Sequence, residues 1–350
     1  MARLSGRLRL APAFLVSAIG VALVLYMSPA RAGSTVNPAP ARAVNGVAIT
    51  VSDMDRAVAF YSTVLFFEKV SDVRSSGPEV DSLFGMRGAG VRVVTMRLGA
   101  ERIELVQDLG RDGHAMPADA GSADHALQHI AIAVNDMDQA YLWLHRHHVE
   151  QTSPVPPLQP ELNPGARGVR TFAFADPDGY ALEIVQFPAG KGDARWQRPS
   201  DRVFLGIDHT AIVVRNTEQS LRFYRDALGL RVVSGSESPG RGHERLNDAA
   251  GAPARVTTLR AAKGAEIELV EHPAPRDGRP DPRAAMASDV VRSRTLLVTG
   301  DAVAAATRIG SSTGGSRPIV VAMADAPLGF RRGLAVDDPD GHGIQVRSIK

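Results

Sequence analysis

Short stretches of alternating hydrophobic and polar residues recur along this chain, and each precedes a helical pattern. In the stretch 129–134 large apolar side chains occupy every second position, and a period of two predicts a β-strand. Asn135 or Asp136 can then cap a helix whose apolar residues recur at helical spacing over 140–144. Further strands follow this helix. One strand, one helix and a run of antiparallel strands predict an α+β fold.

The same pattern is written four times, with starts about 80 to 85 residues apart, so the chain is predicted to contain four repeated modules. The modules are 44–107, 127–187, 203–271 and 291–350. Their first strands open with residues at four equivalent positions: Gly46, His129, His209 and Arg294. Their last strands carry another equivalent set: Glu104, Glu183, Glu268 and Gln345. A histidine opening one strand and a glutamate in a later strand, repeated, is typical of a metal site.

The final two strands of a module are joined by the sequence Asp-Pro-Asp-Gly in modules 2 and 4, at 176–179 and 338–341. Proline pre-sets φ for the second turn position, and glycine accepts a positive φ, so these segments predict hairpin turns. Glycine also ends the module 3 helix at Gly229, where module 1 has Phe66. We therefore expect the module 1 helix to end differently.

The N-terminus is predicted to be an export signal. Three arginines precede an apolar run over 10–27, and Ala30 and Ala32 form a small-residue cleavage site. Residues 1–32 would then be a cleaved signal peptide, and the mature protein would be periplasmic or secreted. The alternative is an uncleaved N-terminal membrane anchor, because the run approaches the roughly 20 residues that span a bilayer.

Composition shifts divide the remaining chain. Residues 33–43, rich in proline and alanine, predict a disordered leader. The segment 44–190 is predicted to be a first domain of two modules, and 203–350 a second. The polar, proline- and glycine-containing stretch 191–202 is interpreted as the linker between them.

Charge and cysteine content exclude several classes of function. The net charge is +2 and basic residues are scattered among acids, so no nucleic-acid partner is expected. There is no cysteine, which excludes disulfides and thiolate catalysis. We expect a small-molecule substrate and no stable membrane span after cleavage. Monomer and homodimer both remain open.

Three motifs together resemble the vicinal oxygen chelate superfamily. They are the His-x-Ala-Ile start of the first strands, the helix sequence Phe-Tyr-Arg-Asp-Ala-Leu-Gly-Leu at 223–230, and the Asp-Pro-Asp-Gly hairpins. That family includes glyoxalase I, methylmalonyl-CoA epimerase, extradiol dioxygenases and antibiotic-resistance proteins. The resemblance covers nearly everything after residue 43. It implies βαβββ modules that pair into two cupped half-barrels, with a divalent metal held by first-strand residues and last-strand glutamates.

Which modules share a cup decides the ligand set that the resemblance implies. If neighbouring modules pair, the first cup offers Glu104, His129 and Glu183. Gly46, at the fourth position, supplies no ligand. If modules 2 and 3 pair, as in fused glyoxalases, one cup collects a complete set: His129, Glu183, His209 and Glu268. The other cup then contains Gly46, Arg294, Gln345 and a single carboxylate, Glu104. It would be a site that no longer binds a metal. His129 and Glu183 belong to the site under both arrangements.

Two imidazoles and two carboxylates suit one Zn²⁺, Ni²⁺, Mn²⁺, Fe²⁺ or Co²⁺ ion. The leading hypothesis is a metal-dependent lyase or isomerase of the glyoxalase or epimerase kind, with Glu183 or Glu268 as general base. An extradiol-type dioxygenase is one alternative, and crossed pairing permits it because it supplies two histidines. A metal-free binding or sequestering protein is the other. Arg294 is a candidate anchor for a substrate carboxylate or phosphate.

Overall fold

The computed structural model describes residues 41–86, 88–113, 128–152, 168–234, 244–246, 253–272, 289, 292–311 and 315–348. The predicted signal peptide and most of the predicted leader lie outside these residues. Among the helices that are described, none combines the length and the apolar character needed to cross a membrane.

Each module begins with a strand and a helix and continues with strands. Module 1 contains β1 (Ala43–Thr50), α1 (Met54–Thr63), β2 (Glu68–Ser75), α2 (Pro78–Phe84), β3 (Val91–Leu98) and β4 (Glu101–Asp108). Module 2 contains β5 (Gln128–Val134), α3 (Met137–Arg146), β6 (Glu150–Gln151), β7 (Arg170–Ala175) and β8 (Ala181–Gln186). A short 3-10 helix at Ala194–Gln197 lies between modules 2 and 3.

Modules 3 and 4 repeat the plan. Module 3 contains β9 (Phe204–Val213), α4 (Thr217–Leu221), which continues as a π-helical turn at Arg222–Ala227, then β10 (Arg231–Ser234), β11 (Glu244–Leu246), β12 (Pro253–Arg260) and β13 (Glu266–Glu271). Module 4 contains β14 (Arg294–Thr299), α5 (Ala302–Gly310), β15 (Ile319–Ala322), β16 (Arg332–Asp337) and β17 (Gly343–Ser348).

A polar side chain starts each first helix, as the cap patterns predict. Asp136 accepts a hydrogen bond from the backbone N–H of Gln139, and Asn216 does the same for Gln219. These bonds satisfy N–H groups that have no partner within the first helical turn. The predicted hairpin and the strand-helix order of module 2 are also present.

The described strands form two sheets, and modules pair in the crossed arrangement. One sheet has the order β15-β16-β17-β14-β1-β4-β3-β2, so it joins module 4 to module 1. The other has the order β10-β12-β13-β9-β5-β8-β7-β6, with β11 at β12, and joins module 3 to module 2. The contacts that join modules are the antiparallel pairs β1–β14 and β5–β9. Of the two arrangements that the sequence left open, the one in which neighbouring modules share a sheet is therefore excluded.

Sequence neighbours instead pack through their helix-bearing faces. One buried apolar cluster combines Ile49 and Tyr61 of module 1 with Ile132 and Leu144 of module 2. A second cluster does the same for modules 3 and 4, for example with Tyr224. The large residues that alternate along β5 face this core, which leaves the other face of the strand to its histidine and alanines.

The Asp-Pro-Asp-Gly turns lock neighbouring modules together. The Tyr61 hydroxyl on α1 donates to Asp176 of the module 2 turn at 3.0 Å. In the same way the Tyr224 hydroxyl donates to Asp338 of the module 4 turn at 2.9 Å. All four side chains are buried. The turn carboxylates therefore shape the hairpin and also accept a hydrogen bond from the preceding module.

The end of α1 differs from expectation. Phe66 adopts a left-handed φ of 59°, the conformation that Gly229 adopts in module 3 with φ 79°. Both helix ends therefore close alike, and the expectation of a different closure was wrong. Left-handed backbone is costly for a bulky residue. The Phe66 ring contacts Trp143 and Phe204, with centroids 5.1 and 5.8 Å away, and these contacts offset part of that cost.

We predict that Tyr61→Phe lowers the free energy of unfolding by about 1–3 kcal/mol, because it leaves the buried Asp176 carboxylate without one hydrogen bond. Tyr141→Phe is the matched control, since Tyr141 is half-buried and its hydroxyl makes no hydrogen bond within the described part of the chain. Urea denaturation measures both. An equal, small loss for the two variants would contradict the proposed locking role.

Candidate metal centre

The predicted ligands meet on the concave face of the sheet that joins modules 2 and 3. His129 on β5 pairs in register with Ala211 on β9, and Ala131 pairs with His209, so the two histidines are diagonal neighbours. The glutamates extend this row on both sides. Glu183 on β8 is in register with Ala131, and Glu268 on β13 is in register with Ala211. Four adjacent strands thus each contribute one side chain.

The side-chain atoms converge. Glu183 Oε2 lies 3.8 Å from His129 Nε2 and 3.9 Å from His209 Nε2. Glu268 Oε2 lies 3.5 Å from His209 Nε2. The imidazole rings are 5.8 Å apart between centroids. Ligand atoms of His129, Glu183 and His209 all lie within 4.8 Å of one another.

This donor set fits a divalent transition metal. Zn–N and Zn–O bonds of about 2.0–2.2 Å put adjacent tetrahedral donors about 3.3–3.6 Å apart. The separations of 3.5–3.9 Å between Glu oxygens and His nitrogens are close to that spacing. The side chains between the ligands are small, because Ala131 and Ala211 occupy the neighbouring positions and leave room in the cup. His129, Glu183, His209 and Glu268 would hold the ion.

A β-bulge gives His209 a second carboxylate. The register between β5 and β9 shifts so that Ala131 faces His209 and Ile132 faces Ile207, which leaves Asp208 as the extra residue. A bulge re-aims a side chain. Asp208 Oδ2 accepts a hydrogen bond from His209 Nδ1 at 2.9 Å, which leaves Nε2 directed at the glutamates.

The charges around His209 change its proton affinity in the metal-free protein. Burial by itself would lower the pKa of His209, but the Glu268 carboxylate, the hydrogen bond to Asp208 and the Asp208 charge together raise the pKa to about 9. The same contact lowers the pKa of Asp208 despite burial. His209 therefore carries a proton at neutral pH when no metal is bound.

The cup of modules 1 and 4 contains an arginine where the other cup has converging ligands. Arg347 donates to both oxygens of Glu104 at 2.5 and 2.6 Å and, through Nε, to Gln345 at 2.6 Å. Glu104 and Gln345 are the equivalents of Glu183 and Glu268. Because sheet pairing is crossed, Glu104 does not belong to the His129 site. The Arg347 guanidinium therefore neutralises the buried Glu104 carboxylate.

The remaining positions of this cup cannot act as ligands. A side chain at Gly46 is excluded, because an added Cβ would lie 1.9 Å from the carbonyl oxygen of Arg102. Arg294 is buried, contacts the Phe84 ring and donates to the Phe84 carbonyl oxygen. Burial and the Arg292 charge lower the pKa of Arg294 to about 10. Arg294 thus lies away from the His129 cluster, and its predicted role as a substrate anchor stays a prediction.

Apolar side chains from both modules fill the rest of this cup. Helix α2 contributes Val80, Leu83 and Phe84, which pack with Phe330 of module 4. The sequence analysis did not predict that apolar side chains fill this cup. It also did not predict the hydrogen bond of Asp208 to His209 or the ion pair of Arg347 with Glu104. An acid directly before the ligand histidine was the available signal for Asp208. Nothing in the local sequence distinguished Arg347 from a surface arginine.

Comparison with known proteins agrees with this geometry. The model of the Glyoxalase/Bleomycin resistance protein/Dioxygenase superfamily matches residues 43–184 and 206–346. Human mitochondrial methylmalonyl-CoA epimerase is 28% identical over 145 residues, which cover 41% of this chain and 73% of the epimerase.

Solved structures share the fold at low identity. Glyoxalase I from Zea mays superposes with a TM-score of 0.56 at 16% identity, over 88% of this chain and 92% of the maize chain. A putative dioxygenase from Bacillus subtilis gives a TM-score of 0.54 at 14% identity, over 88% of this chain and 86% of the other. The chain belongs to the Glyoxalase/Bleomycin resistance protein/Dioxygenase superfamily.

We predict that the affinity for a divalent ion rises with pH up to about 9. A ligand histidine must lose its Nε2 proton, and the pKa of His209 is raised to about 9 in the metal-free protein. Displacing one proton changes the apparent affinity about tenfold per pH unit below that pKa. Calorimetry between pH 6.5 and 9.5 measures this slope. A pH-independent affinity above pH 7 would contradict it.

We also predict that Arg347→Met lowers the free energy of unfolding by roughly 3–5 kcal/mol, because it leaves the buried Glu104 carboxylate without its positively charged partner. Adding Glu104→Gln should restore part of the loss, since the stranded charge is then removed. Denaturant titration of the single and double variants measures this. A double variant no more stable than Arg347→Met would show that the ion pair is not the cause.

Proposed function

We propose that this protein is a divalent-metal-dependent lyase or isomerase that acts on a small oxygenated substrate, in the manner of glyoxalases and epimerases. The observation that carries the proposal is the convergence of His129, Glu183, His209 and Glu268 from two modules on one concave surface. The relatedness to methylmalonyl-CoA epimerase supports the same class of reaction.

The residues of the site divide the chemistry between them. A bound divalent ion supplies Lewis-acid polarisation of a substrate carbonyl, or of an adjacent pair of oxygens. His129 and His209 would hold the ion. Glu183 or Glu268 removes a proton from the carbon beside the carbonyl and returns it to another position or face. The small residues Ala131 and Ala211 leave space for the substrate above the sheet.

A second candidate is oxygen chemistry of the extradiol dioxygenase kind. His129, His209 and Glu183 form a group of two histidines and one carboxylate, which is the ligand set of non-haem Fe²⁺ oxygenases. Glu268, at 3.5 Å from His209, adds a fourth donor and favours the lyase or isomerase. Oxygen uptake in the presence of Fe²⁺ and a catechol distinguishes the two reactions.

A metal-free binding or sequestering protein is the alternative outside catalysis. In the cup of modules 1 and 4, Arg347 neutralises the Glu104 carboxylate, so a positively charged side chain can balance a buried carboxylate in this fold. Elemental analysis of the purified protein therefore separates the binder from the enzyme.

We further propose that the protein acts after export, as a monomer or homodimer. The support is the basic and apolar segment over 1–32 with its small-residue cleavage site. An N-terminally anchored form is the alternative. A substrate that reaches the cell envelope, and not one made and consumed in the cytoplasm, is the expected partner. Fractionation of cells and N-terminal sequencing of the mature chain test this.

We predict that His129→Ala and His209→Ala each abolish stoichiometric binding of Zn²⁺, Ni²⁺ or Co²⁺, because each removes one donor of the set. His145→Ala is the matched control, an exposed histidine at the end of α3. Metal content is measured after dialysis and elemental analysis. Exchange of acidic C–H protons in a panel of carbonyl and thioester compounds, including methylmalonyl-CoA, measures activity. A wild-type chain that retains no ion would overturn the enzyme proposal.

A further inference from the structure

The segment between β8 and β9 is linked to the proposed metal centre through Asp208. Its 3-10 helix, Ala194–Gln197, begins at Asp193, whose side chain accepts from the backbone N–H of Arg195. The Trp196 indole N–H donates to Asp208 Oδ1 at 2.5 Å. The other oxygen of Asp208 accepts from His209 Nδ1 at 2.9 Å. A stretch interpreted from sequence as a plain linker therefore reaches a metal-ligand candidate through one carboxylate.

Packing fixes the position of the Trp196 ring. The ring rests on Gly206 of β9, where an added Cβ would lie 2.8 Å from the indole. The Arg195 guanidinium stacks on the ring at 4.0 Å from its centroid. Arg195 also pairs with Glu101 on β4 and donates to the backbone carbonyl oxygen of Ile207. The segment is thus fastened to both sheets next to the bulge at Asp208.

We propose that Trp196 is a positioning residue of the metal centre, which acts through Asp208 to hold the His209 ring with Nε2 toward the metal. The inference rests on the proposed metal-dependent function and extends it to a residue outside the ligand set. Nothing in the repeat pattern predicts it, because the segment lies between modules.

The physical reason is that a ligand histidine has two ring nitrogens and needs only one for the metal. A partner on Nδ1 fixes the ring orientation and its tautomer, and loss of such a partner typically costs metal affinity. Each oxygen of the buried Asp208 carboxylate accepts one of these bonds, so the bond to the second oxygen restricts rotation of the carboxylate that holds the ring. The Trp196 N–H supplies that bond.

The experiment compares two tryptophans that each donate one indole hydrogen bond. Trp196→Phe keeps an aromatic side chain at this position, removes the bond to Asp208 and also removes the indole atoms nearest Gly206. Trp143→Phe is the control, because it removes the bond from Trp143 Nε1 to the Val64 carbonyl oxygen, of 2.8 Å, at a different place in the fold. Co²⁺ affinity is measured by calorimetry, and the Co²⁺ absorption spectrum reports the geometry of its ligands.

We expect Trp196→Phe to weaken Co²⁺ binding by up to about 10-fold and to alter the Co²⁺ spectrum. Loss of the residue bonded directly to a ligand histidine costs about 10- to 100-fold, and the effect here is smaller because Asp208 itself remains. Trp143→Phe should leave both unchanged. Gly206→Ala provides a second route, since its added Cβ would lie 2.5 Å from the Glu101 carboxylate and 2.8 Å from the Trp196 ring and would displace both without removing a polar group. It should also weaken binding. Wild-type affinity and an unchanged spectrum in Trp196→Phe would overturn the proposal.

The outcomes also separate this inference from the proposed function. If the wild type binds Co²⁺ and Trp196→Phe binds it weakly, the positioning role stands, even if no lyase or isomerase activity is found. If both bind equally, the positioning role alone is overturned. If the wild type binds no Co²⁺, the metal centre and the role of Trp196 are both overturned.

Discussion

The antiparallel pairing of β5 with β9 is the interaction on which the site depends. This pairing places His129 and His209 on neighbouring strands with their side chains on the same face. The parallel neighbours β8 and β13 then add one glutamate on each side. A shift of register by one residue would turn each histidine to the apolar core, because side chains alternate along a strand. The large residues of β5 that face the helices prevent such a shift.

The two cups obey one electrostatic rule in different ways. A carboxylate buried in a cup needs a positive partner, because an isolated buried charge is strongly unfavourable. In one cup the partners are histidines and the ion that we propose they hold. In the other, Arg347 binds Glu104, and side chains of α2 fill the remaining space. The second cup therefore serves as part of the core, and ligand chemistry is concentrated in one place.

Crossed pairing also explains why neighbouring modules need a separate fastening. Modules 1 and 2 belong to different sheets, so no strand ladder joins them among the described residues. Apolar packing of their helices supplies most of the contact, and Tyr61 bonded to Asp176 adds a specific buried link. The pair of Tyr224 and Asp338 repeats this link in modules 3 and 4. The segment that carries Trp196 contacts both sheets beside the metal centre. Arg195 pairs with Glu101 of one sheet, and Trp196 bonds to Asp208 of the other.

The sequence by itself determined the repeated strand-helix-strand plan, the helix caps and the candidate ligand positions, because these depend on local periodicity and on side-chain chemistry. The predictions for β5 and for the Asp136 cap are confirmed. Only the tertiary structure decided which modules share a sheet, since each first strand has similar edges and several partners were possible. It also decided the roles of Asp208, Trp196 and Arg347, because a bulge and contacts between distant residues leave no local pattern. For the same reason, Phe66 could take a glycine-like conformation that its residue type argued against.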